Sequence, residues 1–253
     1  MLTCVPVHPE GPRYATSLIL LPGMWAGPPA LRSLATFLGH RGWQGLIADF
    51  ATGPADPGGR VAAVAELAAS RESPPVLVGC DGAGPLALQV ARQVPVAAVV
   101  WLAPLRPGGQ TLRGVVSPWA VLRALVLGVD VPRPTGVRGA WLLGEGTPGL
   151  RDLESGRVVV GLVRGRTAAV AAPVPTLLVS GERDALLPPE AARGLADELG
   201  GEAAVLAGAP HCLLGSAHWL ACASRIHRWL VQRLGEPLLE LYAETMAERD
   251  ESE

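Results

Sequence analysis

The stretch VLVGCDGAGPLAL, residues 76–88, decides how this chain is read. Its first three residues are an apolar run that suits a buried strand. Residues 79–84, GCDGAG, make a tight glycine turn, and a helical stretch follows. Asp81 stands at the tip of the turn. A side chain held on so sharp a strand-to-helix junction needs very small neighbours two positions away on either side. Gly79 and Ala83 meet that need. Gly82 and Gly84 let the helix pack closely and leave backbone N–H groups free. The helix N-terminus that follows favours an anion at Asp81.

Working outward, short apolar runs recur at residues 17–21, 45–48, 76–78, 98–102, 176–180 and 203–206. Flanked by Gly and Pro, they suit strands buried on both faces. Helical stretches lie between them, at 28–40, 60–69, 84–93 and 189–199. Strand alternating with helix implies parallel pairing through helical crossovers. The expected fold class is α/β, a mostly parallel, doubly wound sheet. Ligands of such sheets bind beyond the carboxyl ends of the strands. The roughly seventy residues between the strands at 98–102 and 176–180 are too long for a plain loop. They are expected to form an inserted, mostly helical lid over residues 104–172, with residues 1–103 and 173–253 forming the core. An ordinary crossover with one extra helix is the alternative. The end, EPLLELYAETMAERDESE, has the pattern of an amphipathic helix running into an acidic tail.

Composition excludes several roles. The chain has 253 residues, 49% of them hydrophobic, and a net charge of −2. That balance gives no electrostatic case for nucleic acid. Arginine carries all the fixed positive charge, for there is no lysine. Cys4, Cys80, Cys212 and Cys222 show neither CxxC spacing nor a secreted disulfide pattern. Cys80 and Cys212 flank Asp81 and His211 in sequence and read as small buried residues that lie near each other. No signal peptide is evident, and the apolar runs are too short to span a bilayer. A cytoplasmic protein without a membrane partner is expected. No phosphate loop, zinc spacing or dinucleotide fingerprint stands out, so no cofactor and no metal is expected. The partner is a small-molecule substrate. The sequence leaves the oligomeric state open.

With Asp81 on its turn, the chain resembles the α/β-hydrolase superfamily, and Asp81 falls where that family carries its nucleophile. The remaining members follow in the family's order of nucleophile, acid and histidine. In PTLLVSGERDALLPPEAARGLADEL, Asp184 lies on the loop after a strand, with Glu182 as a second candidate for the acid. In AVLAGAPHCLL, His211 lies just past the next strand. LILLPGMWAGPPALRSLATFLGHRGW matches the oxyanion region, where Met24 and Gly82 would supply the two N–H donors. The helix ACASRIHRWLVQRL resembles the family's closing helix.

An aspartate at this position changes the chemistry. A carboxylate attacking a carbonyl would give an anhydride, which is uphill. Its natural target is a saturated carbon bearing a leaving group, with an alkyl ester of Asp81 as the intermediate. His211, oriented by Asp184, would activate water against that ester. This logic is what resemblance to haloalkane dehalogenases and epoxide hydrolases implies. Epoxide hydrolases of the family use lid tyrosines, and this chain has only Tyr14 and Tyr242, both outside the lid. A halide is held by N–H donors in a dry pocket, so Trp25, Trp119 and Trp141 are candidate substrate-binding residues, ordinary packing being the alternative for them. One of Arg106, Arg113, Arg123 and Arg138 could hold a substrate carboxylate, unless all four are solvated charges on the lid. Two features depart from the dehalogenase pattern. Gly82 stands where tryptophan usually follows the nucleophile, and Pro22-Gly23 replaces His-Gly at the oxyanion turn, a form more like esterases and lipases. Three readings follow: a hydrolase with Asp81 as covalent nucleophile, acting on C–halogen before epoxide; an esterase-, lactonase-, cyclase- or lyase-like relative with His211 as base; and a non-catalytic binding protein.

Overall fold

The computed structural model describes residues 2–9, 11–106, 115–144, 146–165 and 171–234. In chain order its strands are β1 (Thr3–Val7), β2 (Leu18–Leu21), β3 (Gly45–Asp49), β4 (Val76–Cys80), β5 (Ala98–Leu102), β6 (Val131–Pro132), β7 (Leu153–Glu154), β8 (Thr176–Gly181) and β9 (Glu202–Leu206). Its helices are α1 (Arg32–His40), α2 (Pro57–Ala69), α3 (Gly84–Ala91), α4 (Pro118–Leu127), α5 (Gly136–Leu143), α6 (Gly156–Arg164), α7 (Pro189–Leu199) and α8 (Trp219–Leu234). One sheet has the order β1-β3-β2-β4-β5-β8-β9, and β6 pairs with β7 in a separate ribbon. In the large sheet every pairing is parallel except β1 with β3. The expected α/β class, mostly parallel and covered on both faces, is the observed one.

Successive side chains of a strand point to opposite faces, and the core divides accordingly. Leu18, Leu20, Val76, Val78, Val100 and Leu102 pack beneath α1 and α8. Ile19, Leu21, Leu77, Val99 and Trp101 pack beneath α2, α3 and α7. Both faces being apolar, each central strand reads as a continuous hydrophobic run rather than an alternating one.

Several boundaries differ from the sequence reading. β1 is an added antiparallel edge strand; it is half-exposed and contains Pro6, which an edge tolerates because one side of the backbone needs no partner. Residues Pro28–Leu31 form a 3-10 turn before α1 rather than its first turn. α2 begins at Pro57, three residues ahead of Arg60, because Asp56 caps it by accepting from the Gly59 N–H at 2.8 Å. α3 stops at Ala91, short of Gln93.

The inserted segment contributes α4, α5, α6 and the β6–β7 ribbon. It has a core of its own, in which Val116, Val131, Leu142 and Val159 pack against Met24 and Trp25 of the sheet domain. The expected C-terminal amphipathic helix lies outside the described residues. Among the described residues no helix is long and apolar enough to cross a membrane.

Candidate active site

β4 ends at Cys80, and the chain turns into α3 through Asp81, whose φ is 38°. That left-handed conformation is strained for a residue with a side chain, although Asp tolerates it better than most. Two packing features hold the turn. The Trp101 indole Nε1–H donates to the Asp81 backbone carbonyl at 2.6 Å. Gly84 lets α3 lie directly on that indole, since a Cβ there would overlap the Trp101 ring.

The Asp81 side chain is turned toward the loop after β2. Its Oδ1 accepts from the Met24 N–H at 3.0 Å and from the Gly82 N–H. These are the two amides expected to form an oxyanion site. The carboxylate itself therefore occupies that site. Oδ2 lies against Gly23, where any Cβ would overlap the carboxylate. Asp81 is 9% exposed. Burial pushes its pKa up to about 6, opposed by the Met24 and Gly82 N–H groups and by His211, while the Glu154 charge adds to the rise. The group is thus mainly ionised at neutral pH.

His211 and Asp184 come from the loops after β9 and β8. His211 Nδ1 and Asp184 Oδ2 are 2.8 Å apart, and both side chains are buried. Asp184 Oδ1 accepts from the Leu186 N–H at 2.7 Å and the Leu187 N–H at 2.9 Å. The acid is thus fixed from both oxygens, and its partnership leaves His211 Nε2 for chemistry. That Nε2 is buried without a hydrogen-bond partner. Glu182, the other candidate acid, instead accepts from the Gly208 N–H at 2.8 Å.

Asp81 and His211 line one cavity of about 60 Å³, with Gly23 and Met24 on one wall and Leu142, Leu143 and Leu150 of the inserted segment on another. Cys80 and Cys212 line it too. Burial raises both thiol pKa values, so they stay protonated and uncharged. Cys212 Sγ donates to the Leu143 carbonyl at 3.0 Å. A second cavity of about 170 Å³ shares Pro22, Gly23 and Met24 as its wall and is bounded by Arg60, Gln89 and Leu162. Among the described residues no group of three His, Cys, Asp or Glu side chains is arranged to hold a metal ion.

None of the three candidate substrate-binding tryptophans is among the residues lining the cavity. Trp25 is fully buried, and its Nε1–H donates to the Val131 carbonyl at 3.0 Å. It anchors the inserted segment rather than facing the cavity. Trp119 is 74% exposed and Trp141 is 49% exposed, and neither lines the cavity. Sequence places a tryptophan near the site but not on a face of its helix. Among the candidate arginines, Arg106 pairs with Glu198 at 2.7 Å, Arg123 and Arg138 are exposed, and Arg113 lies outside the described residues. A tryptophan after Asp81 would require neighbouring side chains to shift. Leu162 Cδ1 of α6 would stand 2.7 Å from a Cβ on Gly82, and Met24 closes the other side.

The sequence reading missed Glu154 altogether. Its carboxylate is buried in a cluster with Arg60 at 2.7 Å and Arg151 at 3.0 Å, and it accepts from the Trp25 N–H at 3.0 Å. Nothing in the local sequence distinguishes it, because Arg60 and Trp25 are remote along the chain.

The sheet order and the strand-to-helix turn at Asp81 are those of the α/β-hydrolase fold. Among solved structures of that fold, the monoacylglycerol lipase of Paleococcus ferrophilus superposes with a TM-score of 0.73 at 18% identity, over 92% of this chain and 99% of that one. A soluble variant of monoglyceride lipase from Saccharomyces cerevisiae gives 0.72 at 14% identity, over 92% of each chain. MenH from S. aureus gives 0.67 at 13% identity, over 91% of this chain and 98% of that one. No family model matches the sequence. No curated protein matches it either.

Proposed function

We propose that this chain is a hydrolase in which Asp81 is a covalent nucleophile toward a saturated carbon of a small, apolar substrate. The observation that carries this reading is the seating of Asp81 Oδ1 on both the Met24 and Gly82 N–H groups. An ester formed through Oδ2 would keep its carbonyl oxygen, Oδ1, in the place where an oxyanion is stabilised.

The reaction runs in two steps. Asp81 Oδ2 attacks the carbon, and the leaving group departs with its electron pair. Water then adds to Asp81 Cγ and gives a proton to His211 Nε2, while Asp184 stabilises the imidazolium. Negative charge collects on Oδ1 beneath the two N–H donors. Collapse breaks the Cγ–Oδ2 bond, and the departing alkoxide takes the proton from His211. The alcohol carries Oδ2 away, and solvent oxygen replaces it in Asp81. Residues 104–172 act in this reading as the lid that keeps the cavity dry.

The leaving group favours C–halogen over epoxide. A halide departs as a stable anion, whereas an epoxide oxygen needs a proton. Tyr14 cannot supply one, being stacked on Trp43 at 3.8 Å in the sheet core. Tyr242 lies outside the described residues. A second reading keeps His211 as base for ester or lactone hydrolysis, or for a cyclase or lyase step, with Asp81 non-nucleophilic. It is favoured by the lack of any tryptophan or tyrosine among the described residues lining the cavity, since none of these supplies an indole or phenol to receive a leaving halide.

Intact-protein mass spectrometry of His211→Ala, incubated with haloalkanes, haloacids and epoxides, separates the two. An adduct mapping to Asp81 is the expected result. No adduct, together with wild-type turnover of esters or lactones, would overturn the covalent reading. Silence of both proteins would support a binding protein.

A further inference from the structure

We propose that Glu154 is a positioning residue for the oxyanion site: it fixes the Trp25 peptide so that the preceding amide, Met24 N–H, stays aimed at Asp81 Oδ1. Its kinetic consequence rests on the covalent reading above.

Glu154 is 1% exposed at its side chain, yet its two oxygens take four donors. Oε2 accepts from the Trp25 N–H and from Arg151, both at 3.0 Å. Oε1 accepts from Arg60 at 2.7 Å and from the Ser155 N–H at 2.9 Å. Arg60 reaches it from α2, where its guanidinium also lies over the Phe50 ring at 4.7 Å. Two cations and two amides thus hold the carboxylate in a single pose.

Trp25 is what that pose supports. Its φ is 54°, an outlier for a bulky aromatic residue, and such a conformation persists only where its surroundings over-determine it. Three tethers do so. The N–H goes to Glu154, the carbonyl accepts from the Arg151 N–H at 2.7 Å, and the indole donates to the Val131 carbonyl. Every tether comes from the inserted segment. Consecutive amides are therefore held by two carboxylates, Met24 N–H by Asp81 and Trp25 N–H by Glu154. Without Glu154 the buried Trp25 N–H loses its acceptor, and the peptide next to Met24 is released.

The two chemical steps respond in opposite ways. During attack, charge leaves the Asp81 carboxylate, so donors on Oδ1 restrain that step. During ester hydrolysis, charge returns to Oδ1, and the same donors accelerate it. Loosening Met24 N–H slows hydrolysis and spares attack, so the ester accumulates. A general loss of folded enzyme lowers both steps together.

The test uses Glu154→Ala and, as the conservative variant that keeps an acceptor for Trp25 N–H, Glu154→Gln. The first readout needs no substrate: amide hydrogen exchange by NMR at Met24, with Val78 and Leu178 as references for the core. Met24 exchange should rise at least about 10-fold in Glu154→Ala, with the references unchanged, because a tethered peptide becomes free to open locally. Glu154→Gln should recover most of the protection. An unchanged Met24, or one that accelerates in step with Val78 and Leu178, overturns the proposal. The second readout is the steady-state ester fraction by intact mass, with a substrate that labels His211→Ala. Hydrolysis should fall by about 10- to 100-fold in Glu154→Ala, less than the roughly 100- to 1,000-fold of losing an oxyanion donor outright, because the amide is loosened and not removed. Labelling of His211→Ala without ester accumulation in Glu154→Ala overturns the positioning role. No labelling of His211→Ala overturns the covalent reading instead, and amide exchange then decides the positioning role alone. If Glu154→Ala does not fold, Glu154→Gln carries both readouts, with effects of about 3-fold from its weaker acceptor.

Discussion

Trp101 on β5 and Asp81 on the adjoining turn are joined by an indole-to-carbonyl hydrogen bond of 2.6 Å. The side chain that supports the strained turn comes from the neighbouring strand, not from the turn itself. Trp101→Phe keeps an aromatic ring beneath α3 and deletes the donor. It should destabilise the fold by about 1–3 kcal/mol, the penalty for a buried carbonyl left unpaired. Urea unfolding measures this. A loss under about 0.5 kcal/mol would mean that the carbonyl has found another donor.

Burial holds the Asp81 carboxyl at about 6, against 3.8 for the free group. The folded chain therefore keeps this proton to higher pH than the unfolded chain does. Its contribution to stability is full below pH 3.8 and is lost as pH rises through about 6. Asp81→Asn has no proton to lose, and its amide oxygen can still accept from Met24 and Gly82. It should match wild type near pH 3.5 and exceed it by about 1–3 kcal/mol at pH 8, as the rise from 3.8 to about 6 implies. Unfolding curves at both pH values decide this, and a constant gap between the proteins would contradict it. On the proposed covalent reading, the same ionisation gates attack. Labelling of His211→Ala should follow the ionised fraction of Asp81, rising with pH to a plateau.

Leu162 and Gly82 share one space. A methyl on Gly82 would stand 2.7 Å from Leu162 Cδ1. Gly82→Ala should destabilise by about 1–3 kcal/mol through overpacking. Leu162→Ala should do so by about 2–5 kcal/mol through the space it vacates. The double variant should be more stable than the sum of the two losses implies, by about 1 kcal/mol or more. Strict additivity would place Leu162 elsewhere.

Trp119→Ser and Trp141→Ser test whether these side chains take part in substrate binding. Both side chains are exposed and off the cavity wall. Each variant should alter stability by no more than about 0.5 kcal/mol, as surface changes do. Labelling rates of the corresponding His211→Ala double variants should stay within about 3-fold, since no contact with bound substrate is lost. A larger loss would return these residues to the substrate site.

What could be read in advance has a common physical form. Asp81, Asp184 and His211 each follow an apolar run, and buried parallel strands advertise themselves as such runs. Met24 and Gly82 were legible for the same reason, being tied to the ends of β2 and β4. What stayed hidden depends on pairing across long stretches of chain. Glu154 meets Arg60 from 94 positions away and Trp25 from 129. β1 escaped notice because its short apolar run is half exposed and carries Pro6, which argues against a strand anywhere but at an edge. The sequence puts Trp25 beside the turn but does not reveal the burial of its indole against the Val131 carbonyl, which only the fold shows.

Asp81 fills the anion slot made by the Met24 and Gly82 N–H groups. Reagents that reveal serine hydrolases in cell extracts, such as fluorophosphonates and boronic acids, need a hydroxyl to capture and a vacant pair of amides to receive their oxygen. This chain offers neither at the turn, so such profiling would pass over it. On the proposed covalent reading, a tag whose warhead is an alkyl group bearing a good nucleofuge would meet the carboxylate directly. Chemical proteomics with that class of warhead would then find this protein, and others built like it, among the many that share its fold.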